Sequence, residues 1–316
     1  MANPLHVLLV TSWGQLQCGI QAHSEQLIDY VKQADPDIVI TPSEDSLDPV
    51  QCGRIPPPVD VIHLNWHRAL HSRWSPAWIR RYQQLGVRFV VTWHDTMGHE
   101  PPDQLSKEVH DVADAFIVHE PVIGLPKAIY WRQAVPEFGG CVADMSGGRT
   151  SRPFVGSVGF DFGWKNYDRL CEIAYNVGWG VLLCVPEMSS EREADLARRN
   201  PWVLIRRNLP LQEVIADLHA CQATAFLYVN GNSGTSAAIR IGIGARKPVI
   251  AMAGQRQFRD LHDEMAIRWS TSMEHAQDLL VGLRCGDWDG RTVELANRDS
   301  WRHAGRKHAE LYRSLV

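Results

Sequence analysis

A chain of 316 residues with 45% hydrophobic and 22% charged side chains has the composition of an ordinary globular protein, long enough for two α/β domains of about 150 residues or for one large domain. Its formal net charge of −4 supplies no global attraction to nucleic acid or to an anionic membrane, which lowers both as partners without excluding a local basic patch. Seven cysteines, an odd number with no CxxC pair, indicate neither a zinc site nor a disulfide framework, and the apolar run in MANPLHVLLVTSWGQ is too short for a signal peptide or a span, so a cytoplasmic protein is expected.

In chain order, HVLLV, DIVI, VDVIHL, RFVVTW and DAFIVH read as buried strands, with amphipathic stretches near 20–33, 76–86 and 103–113 between several of them. The Pro- and Asp-rich segment Pro42–Pro58 reads as a surface loop, and the pattern breaks again between Pro136 and Arg152. Alternation then restarts with strands at Phe154–Gly159, Val181–Val185, Trp202–Arg206, Ala223–Val229 and Pro248–Ala251. Helices fill 166–177, 190–199, 211–220, 235–245 and 273–284, and Arg291–Leu315 reads as one closing helix. Strands alternating with helices in this way predict α/β architecture with two doubly wound parallel sheets. The expected divisions are 1–150, 151–290 and a closing helix over 291–316.

The most informative stretch is NGNSGTSAAIRIGIGARKPVIA, from Asn230 to Ala251. A Gly/Ser/Thr loop running into a helix aims backbone N–H groups and hydroxyls at one point, where hydrogen bonding and the helix dipole both favour an anion. Gly14 and Gly19 form a second strand-to-helix turn at GxxxxG spacing, but Ile-Gln follows, so it is neither a triphosphate-binding P-loop nor a GxGxxG turn. His94 and Asp95 stand at the end of RFVVTW, and His119-Glu120 at the end of DAFIVH, where strand ends line the ligand crevice of open sheets. Each of those histidines reads equally as a structural hydrogen-bonder. Lys165 opens a helix, a poor place for a cation unless an anion binds there; the alternative is a solvated surface lysine.

Other features read as bland. His63, His67 and His71 are spaced by four, but the first lies in a strand pattern, which breaks a helical metal set. Asp287-Trp-Asp289 reads as a turn, and Arg198, Arg199, Arg206 and Arg207 as a solvated face. Of twelve tryptophans, Trp13, Trp66, Trp93 and Trp164 fall at predicted strand ends, where indole rings either stack on ligands or fill the core.

Taken in order, LLVTSWGQLQCGIQAHSEQL, VVTWHD, ADAFIVHEP, GFDFGWKNYDRLCEIA, NLPLQEVIADLHACQATAFLY and GTSAAIRIGIGARKPVIA resemble the motifs of GT-B glycosyltransferases, most nearly the family 4 retaining enzymes. The resemblance spans about residues 5–260 and implies two Rossmann-like domains facing a central cleft, the first on the acceptor side and the second binding a nucleotide sugar. By that resemblance Gly19 approaches the donor pyrophosphate, His94 contacts the transferred sugar, and Lys165 neutralises the leaving diphosphate. Asn208 and Leu209 lie beside the base, and Gly234, Thr235 and Ser236 hold phosphate or sugar.

One departure stands out: the family's two glutamates, eight positions apart, align with Ser233 and Ile241. The arginine that commonly accompanies the phosphate lysine is also missing upstream of Lys165, with Arg256 and Arg259 as substitutes. The implied activity is a hexosyltransferase moving sugar from a nucleotide-diphosphate donor to an acceptor hydroxyl with retention. It would use no metal and no cofactor besides that co-substrate. The acceptor stays open among glycan, protein and a hydroxymethylated DNA base. A catalytically silent module binding a nucleotide sugar or glycan is the competing reading.

Overall fold

The computed structural model describes residues 3–11, 19–44, 59–66, 76–94, 104–120, 125, 127–140, 152–230, 235–284 and 290–316. These form two compact units, Met1–Gln133 with Trp301–Val316, and Ala134–Ser300. The chain therefore leaves the first unit, builds the second, and returns.

In the first unit the strands are β1 (Leu5–Thr11), β2 (Ile38–Glu44), β3 (Val61–Trp66), β4 (Arg88–Trp93), β5 (Ala115–Val118) and β6 (Ile129–Tyr130). They form one parallel sheet in the order β2-β1-β3-β4-β5-β6. Strands buried on both faces are largely apolar, as AFIV is throughout; in VIHLNW the two polar residues, His63 and Asn65, are buried and hydrogen-bonded. Side chains alternate between faces, so Leu8, Val10, Ile62, Leu64, Val91, Phe116 and Val118 share one core with Ile79 and Tyr82 of α2 (Pro76–Gln84) and Val109 of α3 (Gln104–Val112). Beside α1 (Gly19–Ala34) lies the chain's last helix, Trp301–Leu315. Their approach is so close that a Cβ on Gly305 would stand 2.6 Å from the Tyr30 backbone. Only glycine fits at that crossing.

The second unit repeats the plan. Its strands are β7 (Phe154–Val158), β8 (Gly180–Val185), β9 (Val203–Arg207), β10 (Ala223–Phe226), β11 (Val249–Met252) and β12 (Ile267–Ser270), all parallel in the order β12-β11-β10-β7-β8-β9. Helices α4 (Tyr167–Asn176), α5 (Ser190–Arg199) and α8 (Met273–Arg284) belong with one core, and α6 (Leu211–Ala220), α7 (Ala237–Gly244) and α9 (Arg291–Arg298) with the other. The period-two rule is visible in β8, which sends Leu182 and Cys184 to one core and Val181, Leu183 and Val185 to the other. Helix α5 shows why such segments start and stop: Ser189 Oγ accepts the Arg192 N–H at 3.1 Å, acids fill the first turn, and Arg198 and Arg199 close the last.

The segment expected as one closing helix is two. Helix α9 ends at Arg298, and after Asp299 and Ser300 the chain enters α10, the Trp301–Leu315 helix of the first unit. An extended break serves there: Val135 bridges Ser300 in parallel, and the Val135 N–H donates to the Asp299 carbonyl at 2.7 Å. Two strands went unread in the sequence, the two-residue β6 and the half-polar edge strand β12. No helix among the described residues is long and apolar enough to cross a membrane.

Candidate functional site

In the second sheet the chain runs outward one way through β7, β8 and β9, then returns to run the other way through β10, β11 and β12. Strands β7 and β10 are neighbours at that reversal, and the crevice beyond their carboxyl ends is where open α/β sheets take ligands. Lys165 follows β7, and Thr235 and Ser236 follow β10.

Lys165 does not open a long helix. It ends a single 3-10 turn, Gly163–Lys165, and Asn166 in the left-handed region (φ 61) then starts α4. The turn buries the side chain to 6% exposure, so the solvated-surface reading is set aside. Its Nζ donates to the Val158 carbonyl at 3.3 Å and stands 5.7 Å from the rings of both Trp164 and Tyr228. Gly159 makes room for it. Its φ is +112, and a Cβ there would lie 2.0 Å from the ammonium and 3.6 Å from Ala238 Cβ in the first turn of α7. The bare Gly159 backbone thus lies between the ammonium and the first turn of α7. Burial pulls the Lys165 pKa down to about 7, opposed by the Asp161 carboxylate. Asp161 itself is held by Arg192 at 2.9 Å, which also grips Asp168 at 2.7 Å. Among the described residues Lys165 therefore has no ion pair.

Ser236 is the N-cap of α7, yet its side chain makes no capping bond; its Oγ lies 3.4 Å from the Tyr228 hydroxyl. Its own N–H donates to the Gln257 carbonyl at 3.1 Å, and the Val229 N–H to the Trp164 carbonyl at 2.8 Å, tying the loop after β10 to the lysine turn. Thr235 is half-buried beside Ser236. Gly234 and Ser233 lie outside the described residues. Ile241 is half-buried and packs on the apolar core. Arg240 is fully buried and ion-paired with Asp260, while Arg256 is exposed and Arg259 half-buried.

A pocket of about 640 Å³ opens beside β7, lined by Phe160, Phe162, Glu187, Met188, Arg192 and Asn208 among others. Asn208 sits in the left-handed region (φ 53) just after β9, with its N–H on the Val185 carbonyl at 3.2 Å. Leu209, its expected companion, is half-buried and packs on the core. Phe160, Phe162 and Trp164 form a ladder with centroids 5.5 and 5.7 Å apart. Phe160 and Phe162 are 39% and 50% exposed, a planar surface that apolar burial alone does not account for.

The first unit holds the other expected residues. Gly19 is the first residue of α1, directly after a segment outside the described residues. His94 follows β4, its N–H on the Trp66 carbonyl at 2.9 Å, and its ring lies 4.7 Å from that of His23 and 5.2 Å from that of His119. Sequence reading singled out His94 and His119 separately and missed His23; positions so far apart carry no spacing signal. Burial, with a lesser contribution from the surrounding imidazoles, holds His23 well below the ordinary histidine value.

Several doubtful features settle. His63 is buried with both ring nitrogens engaged, by the Tyr312 hydroxyl at 2.5 Å and Thr92 Oγ1 at 2.8 Å. His67, His71, Asp287 and Asp289 lie outside the described residues, as do Trp13 and Asp95. Trp66 and Trp93 are core residues, stacked at 5.3 Å. Arg198, Arg199, Arg206 and Arg207 face Asp195, Glu172, Asp217 and Glu193 respectively, so that run is locally neutralised.

No protein-family model matches the chain, and no curated protein sequence does. Solved structures do. Sucrose-phosphate synthase of Thermosynechococcus elongatus superposes with a TM-score of 0.68 over 98% of this chain and 99% of its own, at 13% identity. HepE of Anabaena, solved in complex with UDP, gives 0.69 over 98% and 100%, at 11% identity. The UDP-forming α,α-trehalose-phosphate synthase of Burkholderia xenovorans, solved with glucose-6-phosphate, gives 0.63 over 98% of each chain, at 11% identity. The chain has the GT-B fold. At these identities the likeness is one of fold, with two parallel six-stranded sheets flanked by helices.

Proposed function

We propose that this protein is a hexosyltransferase that moves a sugar from a nucleotide-diphosphate donor to an acceptor hydroxyl, with retention, as in the family 4 enzymes it resembles. The observation that carries this reading is the buried Lys165 ammonium, without an ion pair among the described residues, at the reversal of the second sheet. A cation placed there at a cost in solvation is explained by a dianionic ligand that restores its charge. HepE, a structure of the same fold, binds UDP, which makes UDP the first nucleotide to test.

On this reading the diphosphate sits on Lys165, the N–H groups around Gly234 and Thr235, and the Ser236 hydroxyl, since the Ser236 N–H is spent on the Gln257 carbonyl. Each charge-assisted hydrogen bond contributes about 1.5–3 kcal/mol, so three would stabilise the departing diphosphate by several kcal/mol without a metal ion beside it. The base enters the pocket bounded by Asn208 and the exposed Phe162 face. Gly19 and His94 serve the donor pyrophosphate and the sugar from the first unit. Attack by the acceptor from the face that the diphosphate leaves gives retention with no protein nucleophile. Glycan, protein and a modified DNA base remain the acceptor classes to screen, in a cytoplasmic setting, and the neutralised arginine run weighs against the last of them.

The test is nucleotide release from a panel of UDP-, GDP-, ADP- and dTDP-sugars with EDTA present. One donor should be hydrolysed slowly, and Lys165→Ala and His94→Ala should each abolish the release. Silence across the panel, with no thermal shift from any nucleotide, would overturn the transferase reading. Once an acceptor is found, an inverted anomer in the product would rule out retention. A second reading, a silent module that binds without turnover, is favoured by Ile241, which fills the ribose-glutamate position with a core-packed apolar side chain. It predicts nucleotide binding with no release from any donor.

A further inference from the structure

Three imidazoles converge in the first unit from three separate elements: His23 from α1, His94 from the end of β4 and His119 from the end of β5. One nitrogen of each lies within 4.8 Å of the others. His23 and His119 are 6% and 7% exposed, and His94 is half-buried, so the cluster has one partly open side. The rings meet edge-on or tilted, with centroids 4.7, 5.6 and 5.2 Å apart, instead of lying flat on one another.

Hydrogen bonds to two of the rings assign their tautomers. His119 Nδ1 donates to the Trp131 carbonyl at 3.0 Å, which leaves Nε2 as its lone-pair nitrogen. Asn65 spends its amide N–H on Ser24 Oγ at 2.7 Å, so its Oδ1 is what faces His94 Nε2 at 3.4 Å, and His94 Nε2 must donate. The lone pair of His94 is then on Nδ1. His23 Nδ1 is buried with no hydrogen-bond partner among the described residues. A neutral imidazole whose second nitrogen is anchored to a carbonyl or amide oxygen is the arrangement by which proteins orient metal-binding histidines. A buried imidazole nitrogen without a partner costs free energy that an electron-pair acceptor would recover.

We propose that His23, His94 and His119 form a binding site for a divalent d-block cation of the Zn²⁺ class, with the fourth position open on the His94 side. The donor set selects the ion: three imidazoles and no carboxylate suit Zn²⁺, Co²⁺ or Ni²⁺ and not Mg²⁺ or Ca²⁺. Tetrahedral Zn–N bonds of about 2.0–2.1 Å place ligand nitrogens roughly 3.3 Å apart, so the rings need to draw in by ~1.5 Å, within the reach of side-chain rotation. All the residues used belong to the first unit, and none of them is shared with the Lys165 turn of the second. It goes beyond the transfer reading and does not depend on it. It touches that reading at His94, because a ring that holds metal no longer offers the same contact to a sugar; the metal-loaded form is therefore the less active one.

The experiment is Co²⁺ and Zn²⁺ titration of the tag-free full chain, read by ligand-field absorption and calorimetry, with turnover not required. The expected result is one ion per chain with the intense spectrum of a four-coordinate Co²⁺ site. Affinity should fall at least about 100-fold in His23→Gln and His119→Gln, and about 10-fold in Asn65→Ala, which leaves all three imidazoles and removes the outer partner of His94 together with the bond to Ser24. Mg²⁺ should not compete. Should either histidine variant fail to fold, X-ray absorption of the Zn²⁺-loaded natural chain decides, since three imidazole shells at ~2.0 Å are required. No stoichiometric binding, unchanged affinity in the folded variants, or fewer than three imidazoles around the ion would each overturn the proposal. Loss of nucleotide release in EDTA concerns the transfer reading alone.

Discussion

Replacing Lys165 by Met should make the empty protein more stable and its nucleotide affinity lower. Met keeps the unbranched length of the side chain and removes the charge. With its pKa near 7 in the fold and an ordinary value of 10.5 when unfolded, Lys165 carries a proton in the unfolded chain that the folded chain lacks across that interval. Stability therefore rises with pH between about 7 and 10.5, at up to 1.36 kcal/mol per pH unit, and the contribution is lost as pH falls through 7. The whole interval amounts to roughly 5 kcal/mol, the scale of confining an ammonium without a counter-ion. Denaturant unfolding of both proteins from pH 6 to 10 should show the difference: Lys165→Met more stable at pH 6 by a few kcal/mol, the two curves converging as pH rises. Diphosphate reverses the preference. At pH 8 UDP should bind the natural protein with uptake of ~0.9 proton, measured by calorimetry in buffers of different ionisation enthalpy. The Met variant should take up none and bind about 10-fold or more weakly, the worth of one charge-assisted hydrogen bond. Parallel stability profiles, with no proton uptake on nucleotide binding, would refute the reasoning.

Gly159→Ala sets a Cβ 2.0 Å from the Lys165 ammonium at φ +112; it should cost about 1–3 kcal/mol in backbone strain and reduce UDP affinity about as much as Lys165→Met, both read by thermal shift with and without UDP. Gly305→Ala improves helix propensity by ~1 kcal/mol yet should destabilise by about 1–3 kcal/mol net, because the Tyr30 backbone 2.6 Å away cannot yield; unchanged or raised stability would contradict the close helix crossing. Arg240→Ala strands the buried Asp260 carboxylate and should cost about 3–5 kcal/mol in denaturant unfolding, whereas the double change Arg240→Met with Asp260→Leu should recover most of it.

Much of the architecture was legible because buried parallel strands leave a coarse signal. VLLV, FVV and VLLCV are apolar throughout, and 211–220 and 273–284 begin and end where the helices do. Edge elements were not legible for the same reason: β12 reads IRWS and is only half buried, so its composition resembles a loop. The break at Asp299 and Ser300 escaped because the sequence on both sides is equally polar and helix-forming; a backbone pairing with Val135 makes it. Lys165 was placed by its position after a strand, but its burial uses the bare Gly159 backbone and the ring of Tyr228, which is distant in sequence. Leu209 was drawn toward a ligand by resemblance; its packing on the core was not legible from spacing. The His23, His94 and His119 cluster depends on strand order, which residue spacing does not encode.

Helix α10 ties residues 301–315 back to the sheet built from residues 5–130, across the whole of the second unit. Tyr312 caps the buried ring of His63 in β3, Trp301 packs on His23 of α1, and Arg313 pairs with Asp35. During synthesis the sheet of the first unit is thus laid down early but stays uncovered until residue 315 has emerged. The second unit, continuous from Ala134 to Ser300, has everything it needs before then. Maturation runs against the order of translation, and a nascent or C-terminally clipped chain exposes the flank of β3 and α1 while its other half is already folded. Protease nicking just before Trp301 would accordingly loosen the half of the protein farthest from the cut in sequence.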